Sequence, residues 1–235
     1  MKVPLDHPTA DRPHRVYVAV TNRCNRRCPW CSTCSTPEGR TFLELADYRS
    51  SFPFQGRFQI QLEGGEPTLH PRFIELVQIA RAEPRCERVV VCTNGVLLPR
   101  SPPVLRAWLQ SLGAPLTIKI SVNHHLLAHD PGLVPLCASV RDALAELGGD
   151  RFLIVNVRLR RGVEDDDRAV RGAVQEAGLG DHANVFFLQA YGFAATETRW
   201  DPPRPVSDRF TLVNPDGRIL GPDLIARSEA MRRLA

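Results

Sequence analysis

From residue 15 to about residue 192 the chain switches regularly between short apolar runs with a two-residue repeat and longer runs with helical spacing. Residues 15–20, 58–62, 88–92, 116–122, 152–158 and 185–190 have the look of strands. Helical runs fall between them. One spans 41–52. The next opens at Pro71, a favoured first-turn residue, and carries Phe73, Ile74, Leu76, Val77 and Ile79. A third starts behind Ser101-Pro102, a fourth behind Asp130-Pro131 with Leu133, Leu136, Val140, Leu144 and Leu147, and a fifth spans 165–177. A strand–helix unit of about 30 residues is the length of a crossover between parallel strands. The expected class is therefore α/β, a parallel sheet with helices outside, two strands short of an eight-stranded barrel.

The 235 residues, 43% of them hydrophobic, suffice for one large domain, and no linker divides them. Thirty basic residues against 26 acidic leave a net charge of +4, too mild and too dispersed for a nucleic-acid partner. No apolar run approaches the roughly 20 residues that cross a bilayer, and the N-terminus lacks the apolar core of a secretory signal. No membrane partner and a cytoplasmic location are the expectation. In a reducing compartment, clustered cysteines mean metal or catalysis rather than disulfides.

Four of the seven cysteines stand together just past the first strand, at 24, 28, 31 and 34. Cys24, Cys28 and Cys31 have the spacing C-x3-C-x2-C, and thiolates on so short a tether can converge on one inorganic centre. With Cys34 the set has the four ligands of a closed zinc site or of a closed electron-transfer cluster. Without it, three thiolates on a 4Fe–4S cube leave one iron for a ligand that is not protein.

This spacing, with Trp30 just before the third cysteine, resembles the radical S-adenosylmethionine (SAM) superfamily. The resemblance implies a partial (β/α)6 TIM-like barrel, with Cys24, Cys28 and Cys31 on a 4Fe–4S cluster whose fourth iron binds SAM. It implies that Gly64-Gly65-Glu66-Pro67, a complete match to the family motif, holds the SAM ammonium through backbone carbonyls and the Glu66 carboxylate. Thr93, Asn94 and Ser121 resemble positions that hold the methionyl carboxylate or the ribose. Asn123 stands where many relatives have an Asp. Tyr191-Gly192 resembles the stretch beside adenine, and Trp30 is expected to shield the cluster. All these motifs follow the ends of strands, the rim on which (β/α) barrels build their sites.

Relatives often carry an Arg beyond the fourth strand that clamps the carboxylate, and none stands there in this chain. Arg158 is the first candidate, with Arg141 and Arg160 behind it. His124 and His125 are candidates for touching substrate, and the acidic run 164–167 is assigned to the helix dipole. The chain divides into a lead-in (1–14), a core (15–192) and an extension (193–235) that closes the mouth, Trp200 included. That extension reads as a hairpin over 210–220, turning at Asp216-Gly217, then a helix from Asp223.

The expected function is reductive cleavage of SAM to a 5′-deoxyadenosyl radical that abstracts hydrogen from a small-molecule or peptide substrate. The electron would come from a one-electron donor such as flavodoxin or ferredoxin. Two alternatives stay open: an activase of glycyl-radical enzymes, and a non-enzymatic iron–sulfur or zinc protein.

Overall fold

A computed structural model describes residues 13–198, 200–202 and 209–235. The expected lead-in lies almost wholly outside these residues, as does part of the 193–206 loop. Seven strands occur: β1 (His14–Thr21), β2 (Phe58–Gly64), β3 (Cys86–Thr93), β4 (Leu116–Val122), β5 (Arg151–Leu159), β6 (Ala183–Phe187) and β7 (Phe210–Val213). The helices are α1 (Leu45–Ser50), α2 (Phe73–Ala82), α3 (Pro102–Ser111), α4 (His124–His129), α5 (Leu133–Leu147), α6 (Glu164–Glu176) and α7 (Leu224–Arg232). The strand order is β6-β5-β4-β3-β2-β1-β7, and the registers of β1 with β2 and β7, β2 with β3, and β5 with β4 and β6 are parallel. This is the α/β architecture expected of a partial TIM-like barrel, with one strand more than the six anticipated.

Two differences have physical causes. Residues 210–213 pair in parallel with β1 instead of forming only a hairpin. The turn at Asp216-Gly217 still forms, closed by Asn214 N–H donating to the Arg218 carbonyl at 2.9 Å. The fourth helical run forms as expected, and a short extra helix precedes it, because the Asn123 side chain starts α4 by accepting from Leu126 N–H at 2.9 Å. Pro131 then separates α4 from α5.

Contacts group the chain into two compact units, one of residues 93–188 and one of 13–92 with 189–235. In the first, Ile118, Ile120, Leu153, Val155 and Val157 are buried on the face against which α5 and α6 pack. The alternate positions, Lys119, Ser121, Asn156 and Arg158, share the opposite face, as a period of two requires. In the second unit Val16, Val18, Ile60, Leu62, Val89 and Val91 are buried on one face. Tyr48 of α1 meets Phe52 edge-on at 5.1 Å, and Phe52 meets Phe58 of β2 at 5.3 Å. Gln59, Gln61 and Glu63 take the alternate positions of β2.

His70, buried before α2, bonds through Nε2 to the Leu43 carbonyl and accepts Arg72 N–H at Nδ1. Burial pushes its pKa below 6.5, so the fold keeps the imidazole neutral. Its contribution to stability is complete above the unfolded value and is lost as the pH falls through 6.5 towards the folded one. Urea unfolding from about pH 7.5 to 5.5 will show stability falling with a slope of at most about 1.4 kcal/mol per pH unit from this group. The His70→Gln variant will show a flatter profile; an unchanged slope would exclude His70 as the cause.

Candidate functional site

The cysteine loop begins where β1 ends and is fastened by main-chain hydrogen bonds. Gly65 N–H donates to the Thr21 carbonyl at 2.7 Å, and Glu66 N–H to the Arg23 carbonyl at 2.8 Å. Cys24 N–H donates to the Thr36 carbonyl at 2.9 Å, and Cys31 N–H to the Cys28 carbonyl at 3.1 Å. A Cβ on Gly65 would lie 1.9 Å from the Arg23 carbonyl oxygen, so only glycine permits the approach. Gly192 has φ +67°, and a Cβ there would lie 2.2 Å from the Cys31 carbonyl oxygen. Phe193 N–H donates to that same oxygen at 3.0 Å. The Gly64–Pro67 motif and the Tyr191–Phe193 stretch thus back directly onto the cysteine loop, all within one unit.

Cys24 is buried, while Cys28 and Cys31 are half-buried. Burial pushes the Cys24 thiol up to about 12, partly opposed by a hydrogen bond from the Arg26 backbone. The Glu66 carboxylate and the other two thiols push it further up. A thiol so buried is stable as a thiolate only beside a cationic centre. Ser35 N–H and the Thr33 hydroxyl both lie 3.4 Å from Cys31 Sγ, the kind of outer contacts that tune a cluster. Among the described residues no three His, Cys, Asp or Glu side chains converge on a single ion. A cube does not ask for that, since each thiolate takes its own iron. The donor chemistry fits a 4Fe–4S cluster. Cys34 is turned into the protein at φ +48°, with Sγ 4.0 Å from the Ser228 carbonyl oxygen.

Trp30 meets Trp200 edge-on at 6.2 Å. Glu66 is fully buried, and its Oε1 accepts from the Thr68 hydroxyl at 2.7 Å and from Thr68 N–H. Pro67 opens the short turn that follows.

In the other unit, Thr93 ends β3 and Asn94 follows it. The Thr93 hydroxyl accepts from Gly95 N–H and Asn94 Oδ1 from Val96 N–H, each at 3.0 Å. Ser121 pairs in register with Asn156, and Asn156 with Asn184, whose amide donates to it at 3.1 Å. Asn123 is buried, its Oδ1 committed to the α4 cap. Arg158 lies over the Phe186 ring at 5.7 Å. Arg160 is held by Asp166 and Asp167, and Arg141 by the Ala177 and Gly178 carbonyls, so both are spoken for. The acidic run does occupy the first turn of α6. His124 Nε2 stands 3.6 Å from Asp166 Oδ2, and the His125 ring meets His129 at a tilt, centroids 4.5 Å apart.

Sequence reasoning missed Glu63 and Arg227. The Arg227 Nη1 donates to Glu63 Oε1 at 2.5 Å, and both side chains are largely buried. A charged residue in the alternating series Gln59, Gln61, Glu63 was the available signal, because an inward carboxylate needs a cation.

Residues 18–125 match the model of the Radical SAM superfamily. This stretch, just under half of the chain, is similar to that superfamily, whose members are enzymes that use a 4Fe–4S cluster and SAM. A GTP 3′,8-cyclase of Chlorobaculum tepidum is 40% identical over 88 residues, 36% of this chain and 27% of that one. A 7,8-dihydro-6-hydroxymethylpterin dimethyltransferase of Methanocaldococcus jannaschii is 28% identical over 229 residues, 88% of this chain and 40% of that one. The chain thus spans about half or less of these curated relatives' lengths. SuiB of Streptococcus suis, in a crystal structure bound to S-adenosylmethionine, shares the fold with a TM-score of 0.54 and 13% identity, covering 88% of this chain and 60% of that one. No helix among the described residues is long and apolar enough to cross a membrane.

The close approach at Gly65 makes a direct forecast. In Gly65→Ala the added Cβ must displace the Arg23 backbone, so anaerobic reconstitution will give less than about half the wild-type iron, while far-UV circular dichroism stays native. Full iron content in that variant would mean that the contact does not set the loop.

Proposed function

We propose that this chain is a radical SAM enzyme acting on a small molecule, with Cys24, Cys28 and Cys31 as the cluster ligands. The observation that carries the reading is the fastening of those three thiols against the Gly64–Pro67 motif and the Tyr191–Phe193 stretch. When bound, the cluster and SAM together supply the 5′-deoxyadenosyl radical that removes hydrogen from an unreactive C–H bond. The protein's part is orientation and exclusion.

Ser35 N–H and the Thr33 hydroxyl hold Cys31 Sγ in place. Thr33 also donates to the Gly64 carbonyl at 3.1 Å, tying the thiol loop to the strand end assigned to the SAM ammonium. Trp30 and Trp200 form an apolar cover that keeps water from the cluster loop. Thr93, Asn94, Ser121, Asn123 and Arg158 are assigned to the polar groups of SAM. For Asn123 the amide nitrogen is the group assigned, its oxygen being engaged in the cap. Tyr191 is assigned to adenine, and His124, paired with Asp166, to substrate proton transfer.

The names of two relatives, a GTP cyclase and a pterin dimethyltransferase, favour a small heterocyclic substrate over a protein. Flavodoxin or ferredoxin is the class of donor assigned.

Anaerobically reconstituted protein with dithionite and SAM will release 5′-deoxyadenosine and methionine, read by liquid chromatography. Replacing any one of Cys24, Cys28 or Cys31 with Ala will lower this at least about a hundred-fold, whereas Cys34→Ala will keep it within about three-fold. A Cys34 variant as dead as the others would favour a closed four-cysteine centre.

A further inference from the structure

Arg227 reaches from α7 to Glu63, the residue immediately before Gly64-Gly65-Glu66, and its side chain is 6% exposed. The Glu63 carboxylate is satisfied on both oxygens, by Arg227 Nη1 at 2.5 Å and by Gln61 Nε2 at 2.5 Å. The guanidinium is not. Its Nε and Nη2 are buried and make no hydrogen bond among the described residues. These two N–H groups form one edge of the planar fork, the edge that grips an oxyanion with two parallel bonds. The same protein shows the geometry at Arg72, whose Nε and Nη2 each donate at 2.8 Å to the two oxygens of Glu75.

A second buried group lies nearby in the strand pattern. Asn214 follows Val213, whose partner in β1 is Val18; Ala19 comes next in β1 and pairs with Glu63. The Asn214 side chain is completely buried, and neither its oxygen nor its nitrogen has a hydrogen-bond partner among the described residues. Buried donors left unmade are costly, and native proteins rarely keep them without a ligand or water. Here two such side chains stand just after β7 and on α7, the helix that contacts it.

We infer that Arg227, with Asn214 beside it, is the binding site for an oxyanion, a carboxylate or phosphate carried by a ligand. Glu63 is a positioning residue: it holds Nη1 and Gln61 and so aims the Nε/Nη2 edge. The inference rests on the proposed SAM-dependent function for the source of the anion, which is either the methionyl carboxylate of SAM or an acidic group of the substrate. It also answers the want of an Arg beyond β4, since Arg141 and Arg160 are engaged elsewhere.

The test compares cluster-loaded wild type with Arg227→Gln, Arg227→Lys and Asn214→Ala by calorimetric titration with SAM and decarboxylated SAM. Thermal midpoints in inorganic phosphate and in acetate are read on the same proteins. If the anion is the SAM carboxylate, both Arg227 variants will bind SAM at least about ten-fold more weakly while binding decarboxylated SAM as wild type does. If it belongs to the substrate, SAM affinity will hold. Phosphate or acetate will then raise the wild-type midpoint and leave the Arg227 variants unmoved. The lysine variant keeps the charge beside Glu63 and guards against a folding defect. Wild-type affinity for SAM in both Arg227 variants, together with no midpoint shift of the wild type in either anion, would overturn the inference. Wild type that makes no 5′-deoxyadenosine yet is stabilised by phosphate through Arg227 would instead overturn the proposed function and leave this site standing.

Discussion

Main-chain contact without side chains between is the constraint on which the cysteine site depends. At Gly65 and Gly192 the backbone comes so close to Arg23 and Cys31 that a single extra carbon would overlap an oxygen. Gly39 meets the Asn22 carbonyl in the same way. Three separate segments thereby grip one loop through peptide groups, whose geometry is far stiffer than that of side chains. Asn22 adds to the grip, its amide donating to the Leu234 carbonyl at 2.6 Å and its oxygen accepting from Thr41 N–H. A loop with little core of its own is in this way given the rigidity that a three-thiolate centre needs.

The two-residue alternation of the strands separates stability from chemistry. One face of β4 and β5 carries Ile118, Ile120, Val155 and Val157 under the helices; the other carries Lys119, Ser121, Asn156 and Arg158. In the other unit Ile60 and Leu62 are core, while Gln61 and Glu63 turn the other way, where Glu63 accepts from both Gln61 and Arg227. The polar faces can therefore change chemistry without disturbing the core. The buried electrostatics follow the same division, with Cys24 pushed up by burial and further by Glu66. A cationic centre relieves both effects at once.

Much of this was legible in the sequence, because six of the strands are long enough to show their period and the first five are each followed by a helix with its own. The cysteine spacing and the Gly-Gly-Glu-Pro motif are local, and the structure brings them together as read. What was not legible depends on distant partners. β7 is four residues long and pairs with a strand nearly 200 positions earlier, so nothing near it distinguishes a parallel edge strand from a hairpin arm. Arg227 sits among other arginines in a helix of mixed character, and its partner Glu63 is 164 positions away. Asn123 looked like a strand-end ligand because a cap and a ligand use the same short amide.

The central claim is that one iron of the cluster is left to the amino and carboxylate groups of SAM. Electron–nuclear double resonance on the reduced cluster, with SAM labelled by 15N and 17O in the methionyl portion, tests it most directly. The account predicts hyperfine coupling of both labels to the cluster, lost when unlabelled SAM is exchanged in. A reduced 4Fe–4S centre whose spectrum is unmoved by SAM and shows neither coupling would contradict it.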